Sequence, residues 1–232
     1  MARDNSSLVL STVFHLLAFS VYTYAWYYDA LYVRPKIPYQ YGGKFKYLTI
    51  WCMLFQTVYF AGATITDLVL TSGPTVVGRK CSNIRDCFLA SIAFPFAALV
   101  QTVFWILYSI DRELIFPASF DAIFPSWLNH IMHSVIIPFL VIEMYIIRHS
   151  YPSRKNGILG CLAIGLSYLA WILFLGIVKN IWVYPVFRVI SNAGFVAFIL
   201  VSAVVLLCFY SVGQAIATKF WKNVPEENFK ID

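Results

Sequence analysis

The chain of 232 residues is 60% hydrophobic and 12% charged, where soluble domains run at about 45–50% and about 25%. Its 28 charged side chains cannot cover a water-facing surface that must also place 42 aromatics, which excludes a soluble fold. The net charge of +6 comes from basic residues set singly between apolar runs, a pattern that serves membrane topology and excludes nucleic-acid binding.

A helix crosses the hydrocarbon core with about 20 mostly apolar residues. Six stretches qualify, at 7–26, 47–70, 88–110, 127–147, 158–178 and 189–212. The runs are continuous rather than alternating, so closed strands are not their solution. The spacing predicts an all-α integral membrane protein, a six-transmembrane-helix bundle over 1–217, with a short polar cytosolic tail over 218–232. Arg3 precedes the first run, but that run continues to Trp26 through bulky aromatics with no small-residue cleavage signature, so it reads as a retained helix. Convincing internal repeats are absent, which weakens a transporter reading. Ten Lys and Arg lie on the side of the termini and seven on the other, which predicts both termini in the cytosol and leaves the sequon at Asn5 unmodified. No retention or lipidation signal ends the chain at Lys230-Ile231-Asp232, so plasma membrane and endoplasmic reticulum both stay open.

Cys52, Cys161 and Cys208 fall inside spans and read as small hydrophobes. Cys81 and Cys87 share a connection expected to be a cytosolic loop, where a reducing compartment argues against a disulfide and a juxtamembrane position fits S-palmitoylation. Their spacing matches no zinc motif, and no metal is expected.

Ionisable residues inside spans are the informative ones, because each costs a few kcal/mol in hydrocarbon unless paired, hydrated or turned inward. The chain has His15, Asp67, His130, His133 and Glu143 there. In the second span Gln56 and Asp67 are 7 and 18 residues beyond Thr49, so at about 100° per residue all three share a line. In the fourth, Asn129, His133 and Glu143 fall within an arc of about 80°, with His130 outside it. Spans two and four cross in the same direction, so Thr49 and His133 lie at similar shallow depth on one side. A hydroxyl beside an imidazole is the minimum for nucleophilic attack on an ester, and it needs no cofactor. The ordinary alternatives are a Thr bonded back to its own helix and a His bridging helices. Asp67 and Glu143 lie too far along their helices to orient His133, so no carboxylate completes a triad by spacing.

The segments Tyr41-Gly42-Gly43-Lys44-Phe45-Lys46-Tyr47-Leu48-Thr49, Phe94-Pro95, Asp111-Arg112-Glu113, Trp127-Leu128-Asn129-His130-Ile131-Met132-His133, Tyr151-Pro152-Ser153 and Trp182-Val183-Tyr184-Pro185 occur in this order. In them the chain resembles the family of the androgen-induced gene 1 protein and the androgen-dependent TFPI-regulating protein. The resemblance runs through nearly the whole membrane domain. It implies a six-span membrane hydrolase that cleaves fatty acid esters of hydroxy fatty acids (FAHFAs), with Thr as nucleophile and His as its base. The family's Thr falls on Thr49 and its His on His133, and its atypical threonine mechanism requires no triad carboxylate.

Such a substrate carries two acyl chains and a free carboxylate. The expected carboxylate partners are Lys44, Lys46 and Arg112, and the expected oxyanion donors are the Asn129 amide and backbone N–H groups near Gly42 and Gly43. The rival readings are a regulator acting through membrane protein partners, with Thr49 and His133 only packing, and a carrier relaying protons through His133, Asp67 and Glu143.

Overall fold

The computed structural model describes residues 5–73 and 75–222. Arg3, Lys230 and most of the expected polar tail lie outside the described residues, as does the Asn5 side chain. The helices are α1 (Asn5–Tyr28), α2 (Leu48–Thr71), α3 (Val76–Phe88), α4 (Phe94–Ile110), α5 (Ser126–His133), α6 (Ile136–Ile146), α7 (Arg154–Leu173), α8 (Val186–Val189) and α9 (Asn192–Trp221). Five continuous helical stretches are long and apolar enough to cross a membrane, and α5 with α6, bent by 45°, makes the sixth crossing. The protein is a six-span helical bundle. Its outer faces carry Val13, Leu166, Leu200 and Val204, each more than half exposed, as lipid rather than water requires.

Two prolines shape the spans. Pro95 has no N–H and its ring would press on the Ser91 carbonyl one turn back. The chain widens into a π-helical turn at Leu89–Ala93 just before α4, and the Ser91 carbonyl accepts the Cys161 thiol at 3.1 Å instead. The third span therefore starts at Val76, not near residue 88, and Cys81 and Cys87 sit on the helix α3 rather than on a loop. The stretch from Arg79 to Arg85 is too polar to register as a span by hydropathy alone, yet it continues the helix. Pro138 has the same effect on the fourth span: the helix stops at His133 and restarts at Ile136.

The core lies between α1, α2, α4 and α6, with aromatic rings packed between them. Tyr22 stacks on Phe60 with centroids 6.0 Å apart, and Phe14 meets Phe139 edge to face at 6.0 Å. Such pairs add about 0.5–1.5 kcal/mol each beyond burial. They clamp α1, α2 and α6 together.

Candidate active site

Thr49 is the second residue of α2, whose start is unusually well held. Tyr47 is extended at φ −92°, ψ 130°, and the Leu48 N–H, one of the donors every helix start leaves without an internal partner, reaches the hydroxyls of Tyr168 and Tyr184, each at 3.0 Å. Tyr168 in turn donates to the Lys46 carbonyl at 3.0 Å. Just upstream, the Phe45 carbonyl accepts the indole N–H groups of Trp51 at 2.7 Å and Trp171 at 3.0 Å. Gly42 is left-handed at φ 82°, and a Cβ there would lie 2.9 Å from the Trp171 ring, so glycine is required on both counts. The Tyr-Gly-Gly segment is thus a rigid entry to α2.

His133 ends α5. Its Nδ1 lies 3.1 Å from the Asn129 carbonyl. A carbonyl only accepts, so Nδ1 carries the proton and Nε2 holds its lone pair. That Nε2 lies 3.2 Å from Thr49 Oγ1, and the hydroxyl is therefore the donor. The imidazole lies flat on Phe104, with centroids 3.6 Å apart and planes 13° apart, while the His133 carbonyl accepts Trp105 Nε1–H at 2.8 Å. Ring plane, tautomer and backbone are all fixed.

Among the other expected residues, Asn129 is buried and its side-chain oxygen has no partner among the described residues. The Gly43 N–H is engaged with the Gln40 carbonyl at 2.8 Å, so it is not a free donor for an oxyanion. Lys44 is paired with Asp29 and Arg112 with Asp121, the latter at 2.6 Å, so both charges are already neutralised. Lys46 reaches the Gln40 side-chain oxygen, which carries no charge. His130 stands apart, its Nδ1 3.0 Å from the Ser134 hydroxyl and its ring stacked on Trp105.

Asp67 and Glu143 belong to a second buried cluster at the far end of α2 and α6. His15 lies 3.0 Å from Asp67 and 2.7 Å from Glu143. Tyr59 donates to Glu143 at 2.6 Å, and His149 bridges from Glu143 at 3.3 Å to Asp86 at 2.7 Å. Arg85 completes it on Asp86 at 2.8 Å. Three carboxylates and three basic groups are gathered away from Thr49.

A cavity of about 170 Å³ opens beside Thr49, lined almost wholly by apolar side chains of α2, α4, α7 and α9. On α4 it runs from Phe96 to Leu107, about 16 Å at 1.5 Å per residue, which is roughly half of a 30 Å hydrocarbon core. Phe104 belongs to both the cavity wall and the imidazole stack. Sequence reasoning missed Phe104, Tyr168 and Tyr184; the only signal was the Tyr184-Pro185 motif, since each contact joins residues far apart in the chain.

These features define a multi-span helical membrane protein with a part-buried, pre-oriented Thr–His pair at one end of the bundle and an apolar cavity beside it. The chain belongs to the FAR-17a/AIG1-like protein family, whose model matches residues 10–218. It is 34% identical to the human androgen-induced gene 1 protein over 200 residues, covering 82% of this chain and 84% of that protein. It is 36% identical to the human androgen-dependent TFPI-regulating protein over 224 residues, covering 94% of this chain and 96% of that protein. The hamster (Mesocricetus auratus) androgen-dependent TFPI-regulating protein is 34% identical over 217 residues, with 90% and 91% covered. No solved structure matches the chain.

Proposed function

We propose that the protein is a carboxylic ester hydrolase that cleaves FAHFAs within the bilayer, with Thr49 as nucleophile and His133 as general base. The observation that carries this reading is the 3.2 Å contact from Thr49 Oγ1 to a His133 Nε2 whose lone pair is directed by the Asn129 carbonyl. Thr49 Oγ1 attacks the ester carbon while Nε2 takes its proton. The tetrahedral oxyanion collapses, the bond to the alcohol oxygen breaks, and His133 returns the proton to the departing hydroxy fatty acid. Water then attacks the acyl-threonine carbon, giving a proton to His133; the bond to Thr49 Oγ1 breaks, His133 returns that proton to Oγ1, and the fatty acid is released. Asn129 stands one turn before His133 on α5 and is buried, and its side-chain amide N–H serves as oxyanion donor.

The cavity accommodates an acyl chain beside the nucleophile, and the second chain lies along the lipid face. With the termini in the cytosol, the site faces the exoplasmic or lumenal side of the plasma membrane or endoplasmic reticulum. The similarity to an androgen-dependent TFPI-regulating protein favours a second reading: a regulator working through membrane protein partners.

The two separate in membranes expressing matched amounts of wild type, Thr49→Ala and His133→Ala. The hydrolase reading expects FAHFA turnover to fall by about 10³-fold or more in both variants. Turnover that survives in either removes that residue from the mechanism, and inactive wild type moves the weight to the regulator.

A further inference from the structure

Lys44 is matched to Asp29, Arg85 to Asp86 and Arg112 to Asp121. Lys46, although buried, has no such acid among the described residues. It is only 8% exposed, its ammonium touches the neutral Gln40 amide oxygen, and it lies 5.2 Å above the Tyr47 ring. The Tyr47 ring packs on Tyr184 with centroids 5.8 Å apart. Arg188 follows Tyr184 by one helical turn, where the Pro185 carbonyl accepts its N–H at 2.9 Å. The ring contacts thus run from Lys46 through Tyr47 to Tyr184, and Arg188 stands one turn beyond, on the short helix α8. Burial and the Arg188 guanidinium together pull the Lys46 pKa below the ordinary lysine value. Two neighbouring cations, one of them buried, with no acid beside them among the described residues form an arrangement that an anion would relieve.

The main chain at Lys46 and at Arg188 borders the apolar cavity. Tyr168, which donates to the Lys46 carbonyl, lines the cavity, and so do Tyr184 and Phe187, the residue before Arg188. An apolar slot one leaflet deep with cationic residues bordering it is complementary to a long-chain carboxylate. We infer that Lys46 and Arg188 together hold the free carboxylate of the substrate, with its hydrocarbon in or across the cavity beside Thr49. The inference rests on the hydrolase reading for the word substrate, but the site as a binder of long-chain carboxylates stands without it. Lys46 lies three residues before Thr49, so the clamp fixes how far along the chain the cleaved ester can sit. Arg188 supplies a planar fork suited to a carboxylate, and Lys46 a point charge.

The experiment uses the full-length protein purified in detergent and two matched probes, radiolabelled oleate and oleyl alcohol. Wild type is expected to bind oleate about tenfold or more tighter than the alcohol. Arg188→Gln and Lys46→Met should each weaken oleate binding by about tenfold and leave the alcohol unchanged, and Arg188→Lys should restore part of the loss. Retained alcohol binding shows that the cavity is intact, and the exposed Arg188 variant decides the matter should the buried Lys46 variant not fold. Equal binding of the two probes by wild type, or an acid preference that survives in Arg188→Gln, overturns the clamp. In parallel, KM for a FAHFA should rise about tenfold in Arg188→Gln with kcat unchanged, while KM for its methyl ester stays the same. Absence of turnover counts against the hydrolase reading alone, because the oleate comparison decides the clamp without it.

Discussion

His133 Nδ1 and the Asn129 carbonyl are 3.1 Å apart on one turn of α5, and this main-chain contact fixes the imidazole in the tautomer that faces Thr49 with a lone pair. Because a backbone oxygen does the orienting, the Asn129 side chain is free for another task. Asn129→Ala is therefore expected to leave KM unchanged and lower kcat by about 10²-fold, the usual cost of losing an oxyanion donor. A kcat equal to wild type would place the donor elsewhere.

Glu143 is fully buried and receives His15, Tyr59 and His149 from three directions. Removing one partner from a buried charged cluster costs roughly 3–5 kcal/mol. Glu143→Gln should lower the melting temperature in detergent by about 10 °C, while turnover per folded molecule stays within about twofold. The cluster is distant from Thr49, so a stability loss without a catalytic loss is the expected pattern. Turnover abolished in a well-folded Glu143→Gln would give the cluster a part in the chemistry, as the proton-carrier reading requires.

Gly165 lines the cavity on α7, where a Cβ would lie 3.6 Å from Leu206 and 3.9 Å from Phe96. A larger side chain there fills the deep part of the cavity and spares the end near Thr49. In Gly165→Leu, kcat/KM for long-acyl esters is expected to fall at least about tenfold, with short-acyl esters nearly unaffected, since a few methylenes decide fit in a closed apolar pocket. An equal loss across chain lengths would mean that the helix packing, not the pocket, was damaged.

Lys46 carries a pKa below the ordinary lysine value through burial and the nearby Arg188 charge, with Gln40 and Tyr47 as its other neighbours. Only its protonated form attracts a carboxylate, and a lowered pKa means that this form is lost earlier as pH rises. KM for a free-acid FAHFA should therefore begin to climb below the pH at which an ordinary lysine titrates, while KM for the methyl ester stays flat. Lys46→Arg should hold the acid KM flat to higher pH, because Arg stays charged. Parallel pH curves for acid and ester would remove Lys46 from carboxylate binding.

The sequence carried the six spans and the Thr49–His133 approach because both follow from one-dimensional rules: apolar run length, helical period and the parity of crossings. Two polar seams at 100° per residue are enough to turn Thr49 and His133 toward each other once spans two and four are neighbours. What it did not carry are contacts between residues far apart. The Tyr168 and Tyr184 hydroxyls on Leu48, the Phe104 ring under His133 and the Arg188 charge near Lys46 each depend on how spans pack, which periodicity does not encode. The start of the third span at Val76 escaped hydropathy because Arg85 and Asp86 satisfy each other inside the bundle. Of the three interfacial cations expected to meet a carboxylate, only the structure separates Lys46 from Lys44 and Arg112, by the acids beside the latter two.

Acid quenching of the protein during turnover of a FAHFA, followed by peptide mass spectrometry, tests the central claim most directly. The mechanism predicts an added mass equal to the substrate's acyl group on the peptide bearing Thr49, absent in Thr49→Ala. Steady turnover by wild type with no acyl adduct on that peptide, together with undiminished turnover by Thr49→Ala, would contradict it.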